Sequence, residues 1–252
     1  MVFLQFIKKN IIMKRNLILI LLVCALIIFS NEPIMAAAGG SIAKAITKTF
    51  WGKLLLFGLF VIFLPLIIWT YLKEYFAVKK TMKDLHSLAI SNKAFDWLSL
   101  KMRASEVFMR VQTAWDKNNI EEVSDWMDDW YWQNQKYIHL EKWEEKGQKN
   151  IVNIKKINDI KPLYVQSSNT QNAEDSRVIL SIEAEMQDYL VRLSDNMVVE
   201  GDKEFKDVES VWTFIYKNGK WVVQNIEEGS TSLVYAKMEN IVSNAPLNHQ
   251  TA

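Results

Sequence analysis

Few side chains in this sequence have the type and spacing to move a proton or hold a metal. The histidines, His86, His139 and His249, are scattered and none has a partner at metal-ligand spacing. The lone cysteine, Cys24, lies inside an apolar run, which excludes an internal disulfide framework and a cysteine-ligated metal. Gly219-Lys220 lacks the preceding glycine of a phosphate-cradling loop. Carboxylates remain as candidates for general acid–base work. Val178, Leu180, Ile182, Ala184 and Met186 alternate with Arg177, Ile179, Ser181, Glu183 and Glu185, so an inward apolar set turns both glutamates outward. Asp188 is expected to turn inward only if a bulge resets the alternation, and the spacing gives it no catalytic partner. The expectation is a non-enzymatic protein with no catalytic residue, metal or cofactor; the rival is a small-molecule enzyme that depends on Asp188.

Aromatic residues offer a second chemistry, the binding of apolar groups. Trp126, Trp130, Tyr131, Trp132, Tyr137 and Trp143 crowd one stretch, in which Trp126, Trp130 and Tyr137 share a helical face. The others must point elsewhere, so this helix is either covered on more than one side or lines a cavity. His139 within it reads as an ordinary amphipathic side chain.

The elements that must position these residues follow from periodicity. Leu98, Met102, Ser105, Phe108, Val111 or Gln112, and Trp115 trace a helical stripe over Asp96–Lys117, interrupted by Asn118-Asn119. A second helix is expected from Ile120, with Glu121 and Glu122 in its first turn where the dipole favours acids. Strands are expected at Ile160–Val165 and over 178–186, with Ser167–Asp175 a polar loop between them. Val198–Val199 leads through Gly201 and the charged Asp202–Asp207 into Val208–Tyr216, where Val208, Ser210, Trp212, Phe214 and Tyr216 share one face. Asn218-Gly219 is a two-residue hairpin signal joining that strand to Lys220–Ile226. The fold class is α+β: helices packed on a curved antiparallel sheet of about four strands.

The first 72 residues are different in kind. Leu54–Leu72 carries no charge and no polar stripe, and at ~1.5 Å per residue it approaches the ~30 Å hydrocarbon core of a bilayer. Trp51 and Lys53 at one end, and Trp69, Tyr71 and Lys73 at the other, have the character of interfacial anchors. Lys8, Lys9, Lys14 and Arg15 precede the apolar Leu17–Phe29 and the small residues around Ala36–Gly40, which reads as a signal peptide or an uncleaved first membrane segment over 1–38. Translation from Met13 would give a compact signal of the same kind. Residues 39–53 then form a short non-cytoplasmic linker, 54–72 a transmembrane helix, and 73–94 an amphipathic juxtamembrane helix with the stripe Tyr75, Val78, Met82, Leu85 and Ala89. Lys79, Lys80 and Lys83 lie mainly on its other side, suited either to anionic lipid or to a solvated stalk. Four lysines follow the span against three before it, which places the main domain, 95–229, on the cytoplasmic side of an inner membrane. The reversed, envelope-facing orientation is the alternative. Residues 230–252 are read as a tail with a short helix and then disorder. Seven bases and one acid precede Leu72, which leaves 23 basic against 28 acidic residues after it, no footprint for nucleic acid.

Several segments carry a family resemblance in order: Phe108 with Val111-Gln112-Thr113-Ala114-Trp115, Lys146-Gly147-Gln148-Lys149-Asn150, Gln187-Asp188-Tyr189, Val198-Val199-Glu200-Gly201, Glu209-Ser210-Val211-Trp212-Thr213-Phe214, then Trp221 and Ile226. Over Asp96–Glu227 the chain resembles the C-terminal domain of mitochondrial inner-membrane translocase subunit 44 and its bacterial relatives. The resemblance implies a cone-shaped, nuclear-transport-factor-2-like fold with a large apolar pocket. It departs from the family at Tyr216, where arginine is frequent, and at Asp116, where the usual aspartate is displaced. The expectation is a membrane-anchored scaffold assisting translocation or assembly of membrane proteins. Its partners would be membrane lipid and a membrane protein or hydrophobic polypeptide segment. Trp115, Trp126, Trp130, Ile182, Ala184, Trp212, Phe214 and Trp221 are the candidate pocket residues.

Overall fold

The computed structural model describes residues 49–168 and 172–242, with the side chains of 66, 67 and 70 left out. The expected signal segment, most of the linker and the tail beyond 242 therefore lie outside the described residues. Two compact units divide at Trp69/Thr70. One helix, α1 (Phe50–Ser91), runs through that boundary and contains Pro65.

In the first unit, the side chains of Trp51, Leu54, Leu55, Val61, Ile62 and Phe63 are exposed. Among the described residues no helix is long and apolar enough to cross a membrane. The expected span, 54–72, includes the three positions whose side chains are not described.

The second unit is α+β. Its four strands, β1 (Gln148–Gln166), β2 (Arg177–Arg192), β3 (Val198–Lys217) and β4 (Lys220–Glu228), form an antiparallel meander in sequence order. Asn218 (φ 52°) and Gly219 (φ 78°) supply the two positive angles that a tight β3–β4 turn needs. On one face of the sheet Val178, Leu180, Ile182, Ala184, Trp212 and Phe214 are fully buried. The helix α2 (Trp97–Asp116) packs there through Leu100, Ala104, Val107, Phe108, Val111 and Ala114, with Phe108 and Trp212 ring centroids 5.3 Å apart. Asp96 caps α2 by accepting from the Ser99 N–H at 2.9 Å. Asp116, at its other end, accepts from the Val152 N–H at 3.0 Å and ties the helix to β1.

The opposite face buries Leu163, Tyr164, Ile179 and Val211 under Val78 of α1 and Tyr235 of α5 (Ser232–Tyr235). Thr81 is buried and donates to the Leu163 carbonyl at 3.0 Å, while Leu85 and Leu88 join the main core. Part of the apolar stripe expected on the amphipathic helix at 73–94 thus packs against this domain. Lys79, Lys80 and Lys83 stay exposed on the other side of the helix. Asn240 fastens the later chain to the same place, bonding the Val165 N–H at 3.0 Å and Asp84 at 2.7 Å.

Four expectations change. The buried face of α2 runs through Leu100, Ala104 and Val107, and Leu98 and Met102 of the expected stripe are exposed. β1 begins at Gln148, twelve residues before Ile160, with register shifts near Lys156, Asp159 and Tyr164. Val198–Lys217 is one strand, because charged residues exposed on both faces of an outlying arm still pair with β2. The stretch after Ile120 is broken rather than a single helix: a 3-10 segment at Ile120–Trp126, α3 (Asp129–Gln135), a π turn at Lys136–Leu140 and α4 (Glu141–Glu145).

Candidate functional site

Along the inward positions of the strands, apolar residues give way to polar ones toward one end of the sheet. On β2 Ile182 and Ala184 lead to Met186 and Asp188; on β3 Phe214 and Trp212 lead to Ser210 and Val208. On α2, Phe108 is followed on the same face by Gln112 and Trp115. The later members of these rows, Gln112, Trp115, Met186, Asp188, Ser210 and Val208, with Ile226 and Glu228 of β4, bound an open cavity of about 520 Å³.

The roof of the cavity is the broken helical stretch. Tyr131, Gln135, His139 and Trp143 recur at every fourth residue, and all four line the cavity. In a regular α-helix such a row drifts by about 40° per step. The wider π turn at Lys136–Leu140 counters that drift and keeps the row on one side. The roof is docked on the sheet by the Asp128 N–H to the Val223 carbonyl (2.7 Å), the Lys217–Asp128 ion pair, and the Ile226 N–H to the Tyr131 hydroxyl (3.0 Å). Burial above all pushes the Tyr131 hydroxyl up to about 12, so it stays neutral.

Two chemistries meet in the lining. Trp115, His139 and Trp143 form a ring cluster with centroids 5.5–5.9 Å apart. Burial, with Lys142 nearby, holds the imidazole below its ordinary value, so it is neutral at physiological pH. Also lining the cavity are Asn150, Asp188 and Glu228, whereas Glu209 and Glu227 border it from strand positions whose carboxylates turn to the opposite sheet face, toward Ser181 and Tyr235. Asp188 accepts from the Asn150 amide at 3.1 Å, Glu209 from the Ser181 hydroxyl at 2.5 Å, and Glu227 from the Tyr235 hydroxyl at 2.5 Å. Desolvation raises the Asp188 carboxyl above its usual range; the Asn150 bond opposes this and Glu200 adds to it. Solvent still reaches Asp188, because the cavity is open.

Asp188 needs no bulge in its own strand to face inward. It has the same parity as Val178–Met186, and the β1–β2 register is unbroken from Ile154↔Met186 to Gln148↔Arg192. The irregularity lies in β3, between the partners of Met186 and Asp188. Gly201 is required there: at φ +75°, its Cβ would stand 2.5 Å from the Asp188 carbonyl oxygen. Gly229 similarly lets the chain pass Glu209, whose carbonyl oxygen would be 2.7 Å from an added Cβ.

Of the eight residues singled out for the pocket, Trp115 lines this cavity. Ile182, Ala184, Trp212 and Phe214 have 0% exposure and belong to the sealed core. Trp221 is also buried, against Phe95 and Tyr216, and donates its indole N–H to the Ala94 carbonyl at 2.9 Å. Trp126 lies under two guanidiniums, Arg103 at 3.8 Å and Arg110 at 4.3 Å from the ring centroid. Trp130 is 69% exposed. Periodicity separates inward from outward positions but does not say where an inward row stops being packed. The signal that could have found the lining was the change from apolar to polar residues along inward rows, at Asp188, Ser210 and Gln112. Among the described residues no group of His, Cys, Asp or Glu side chains is arranged to hold a metal.

The Tim44-like domain family matches residues 83–227, more than half of the chain. This chain belongs to that family. The Tim44-like match takes in the last turns of α1, all of α2, the roof and nearly the whole sheet. A solved structure, the intermembrane space region of chloroplast protein ARC6, is similar at 10% identity, covering 50% of this chain and 92% of that one with a TM-score of 0.35. No curated protein matches.

Proposed function

We propose that this Tim44-like chain is a membrane-anchored, non-enzymatic binding and scaffold module whose cavity receives a segment of another polypeptide during translocation or assembly at a membrane. The observation that supports it best is the open cavity of about 520 Å³, walled by Trp115, His139 and Trp143 on a sheet that is otherwise tightly packed. Its size suits side chains or one turn of a segment, and a mixed lining suits an amphipathic occupant better than a bare acyl chain. Burying one large apolar side chain contributes ~1.5–3 kcal/mol, enough for reversible binding when two or three engage.

Anchoring is drawn from the uncharged Leu54–Leu72, flanked by Trp51, Lys53, Trp69, Tyr71 and Lys73. With the 1–38 segment acting as a signal, the domain lies on the cytoplasmic face of a bacterial inner membrane. Lys79, Lys80 and Lys83, exposed on α1, are then available to anionic headgroups.

A photoreactive residue placed at Val208 in the full-length, membrane-integrated chain tests this. Polypeptide adducts at 208 that are absent from the same probe at exposed Lys220 are expected. Lipid adducts alone, or none above the Lys220 control, would refute the reading. A small-molecule enzyme is the second reading, favoured by Asp188 and His139 sharing one cavity. It requires a turnover that Asp188→Asn abolishes in a folded protein.

A further inference from the structure

We propose that the occupant of this cavity presents a cation, the ammonium or guanidinium of a basic polypeptide side chain, to Asp188 beside the Trp115–Trp143 wall. This rests on the cavity being a polypeptide-receiving site and narrows what that polypeptide must contain. Indole faces attract cations, and the stems of lysine and arginine are apolar, so an aromatic wall accommodates both parts of such a side chain.

The carboxylates lie where such a charge would end. Elsewhere in the domain acids find lysines: Glu185 with Lys155 and Lys156, Glu121 with Lys136, Glu122 with Lys117, Glu74 with Lys161, Asp128 with Lys217. At the inward strand positions that line the cavity the carboxylates are Asp188 and Glu228, and no lysine or arginine lines it. Asp188 is hydrogen-bonded to the Asn150 amide, which orients a carboxylate without neutralising it. Among the described residues neither carboxylate has an ion-pair partner. His139, the one titratable base in the lining, is held neutral by burial. Asp188 is open to solvent beside the aromatic rings and has no cation of its own, so an incoming ammonium gains a charge-assisted hydrogen bond there without displacing another. An anionic headgroup in the same place meets repulsion from both carboxylates.

The test uses the full-length chain in phosphatidylcholine nanodiscs and a short fluorescent peptide of alanine, leucine and lysine. Two counterparts carry glutamine or glutamate at every lysine, and binding is read by anisotropy against empty discs. The lysine peptide is expected to bind at least about tenfold tighter than the glutamine peptide, and the glutamate peptide weakest. Asp188→Asn should remove most of that preference while leaving the glutamine peptide unchanged. Gln112→Lys, which supplies the cavity with its own cation, should do the same. Equal binding of lysine and glutamine peptides overturns the cation while leaving the polypeptide site standing. Binding of none of the peptides overturns both. A preference that survives both substitutions in folded protein also overturns the inference.

Discussion

Trp212 and Phe214 stack with centroids 6.3 Å apart in a core without solvent contact, while Trp115 and Trp143, 5.7 Å apart, stand half-buried at an open cavity. The two regions share the same sheet face and the same kinds of ring. What differs is their company. Around Trp212 are Phe108, Leu180, Ile182 and Val111, which interdigitate, and the indole N–H is satisfied by Ser210 at 2.8 Å. Around Trp115 are Gln112, Asn150, Asp188 and His139, which cannot close into a dry contact without losing hydration. An aromatic excess therefore does not mark a binding site by itself. The polar neighbours decide whether rings seal or stay open.

The sharpest way to break this comparison is truncation on each side of it. Trp212→Ala should cost ~3–5 kcal/mol of unfolding free energy, whereas Trp143→Ala should cost roughly 1 kcal/mol and act on binding instead. Denaturant titration of both variants checks it, and equal losses would dissolve the distinction. Gly201→Ala comes next. An added methyl against the Asp188 carbonyl, at a positive φ, should destabilise by ~1–3 kcal/mol and shift the β2–β3 arm. Amide exchange confined to residues near Asp188 and Gly201 would sharpen the assignment.

Smaller is Trp126→Leu, which removes the ring stacked under Arg103 and Arg110 and should cost ~1–2 kcal/mol without weakening any cavity ligand. A ligand defect in that variant would place Trp126 in the site after all. Smallest is the pH response of Asp188. Its folded value lies above its unfolded one, so its contribution favours the fold at low pH and is lost as pH rises through the folded value. Asp188→Asn should therefore be neutral to slightly stabilising near pH 7, with the difference fading in acid. His139 works the other way: its lowered value favours the fold above the usual imidazole range, and that contribution is lost as pH falls.

Much of the fold was legible in residue order. The alternation over Val178–Met186 and the Asn218-Gly219 turn each mark an element where it was expected; α2 is there too, but its buried face runs through Leu100, Ala104 and Val107, while Leu98 and Met102 of the expected stripe are exposed. The start of β1 was hidden because Gln148–Asp159 carries Lys149, Lys155 and Lys156 and is interrupted by register shifts, so no clean period of two survives. The charged middle of β3 was hidden because residues 200–208 are exposed on both faces, and an exposed strand has no hydrophobic pattern to read. The cavity was legible only in part. Trp115 could be named from its face, but Ile182, Ala184, Trp212 and Phe214 read as pocket simply because they point inward. The row Tyr131–Gln135–His139–Trp143 was unreadable, since it depends on a π turn that no residue type signals.

The most direct test of an open aromatic site beside a sealed aromatic core is ¹⁹F NMR of fluorotryptophan-labelled full-length chain in nanodiscs. Resonances are assigned by single Trp→Phe variants, and a soluble paramagnetic agent is titrated in. Broadening of Trp115 and Trp143, with Trp212 and Trp221 untouched, is the expected result. Uniform protection of all four, or broadening of Trp212 together with Trp115, would contradict the account.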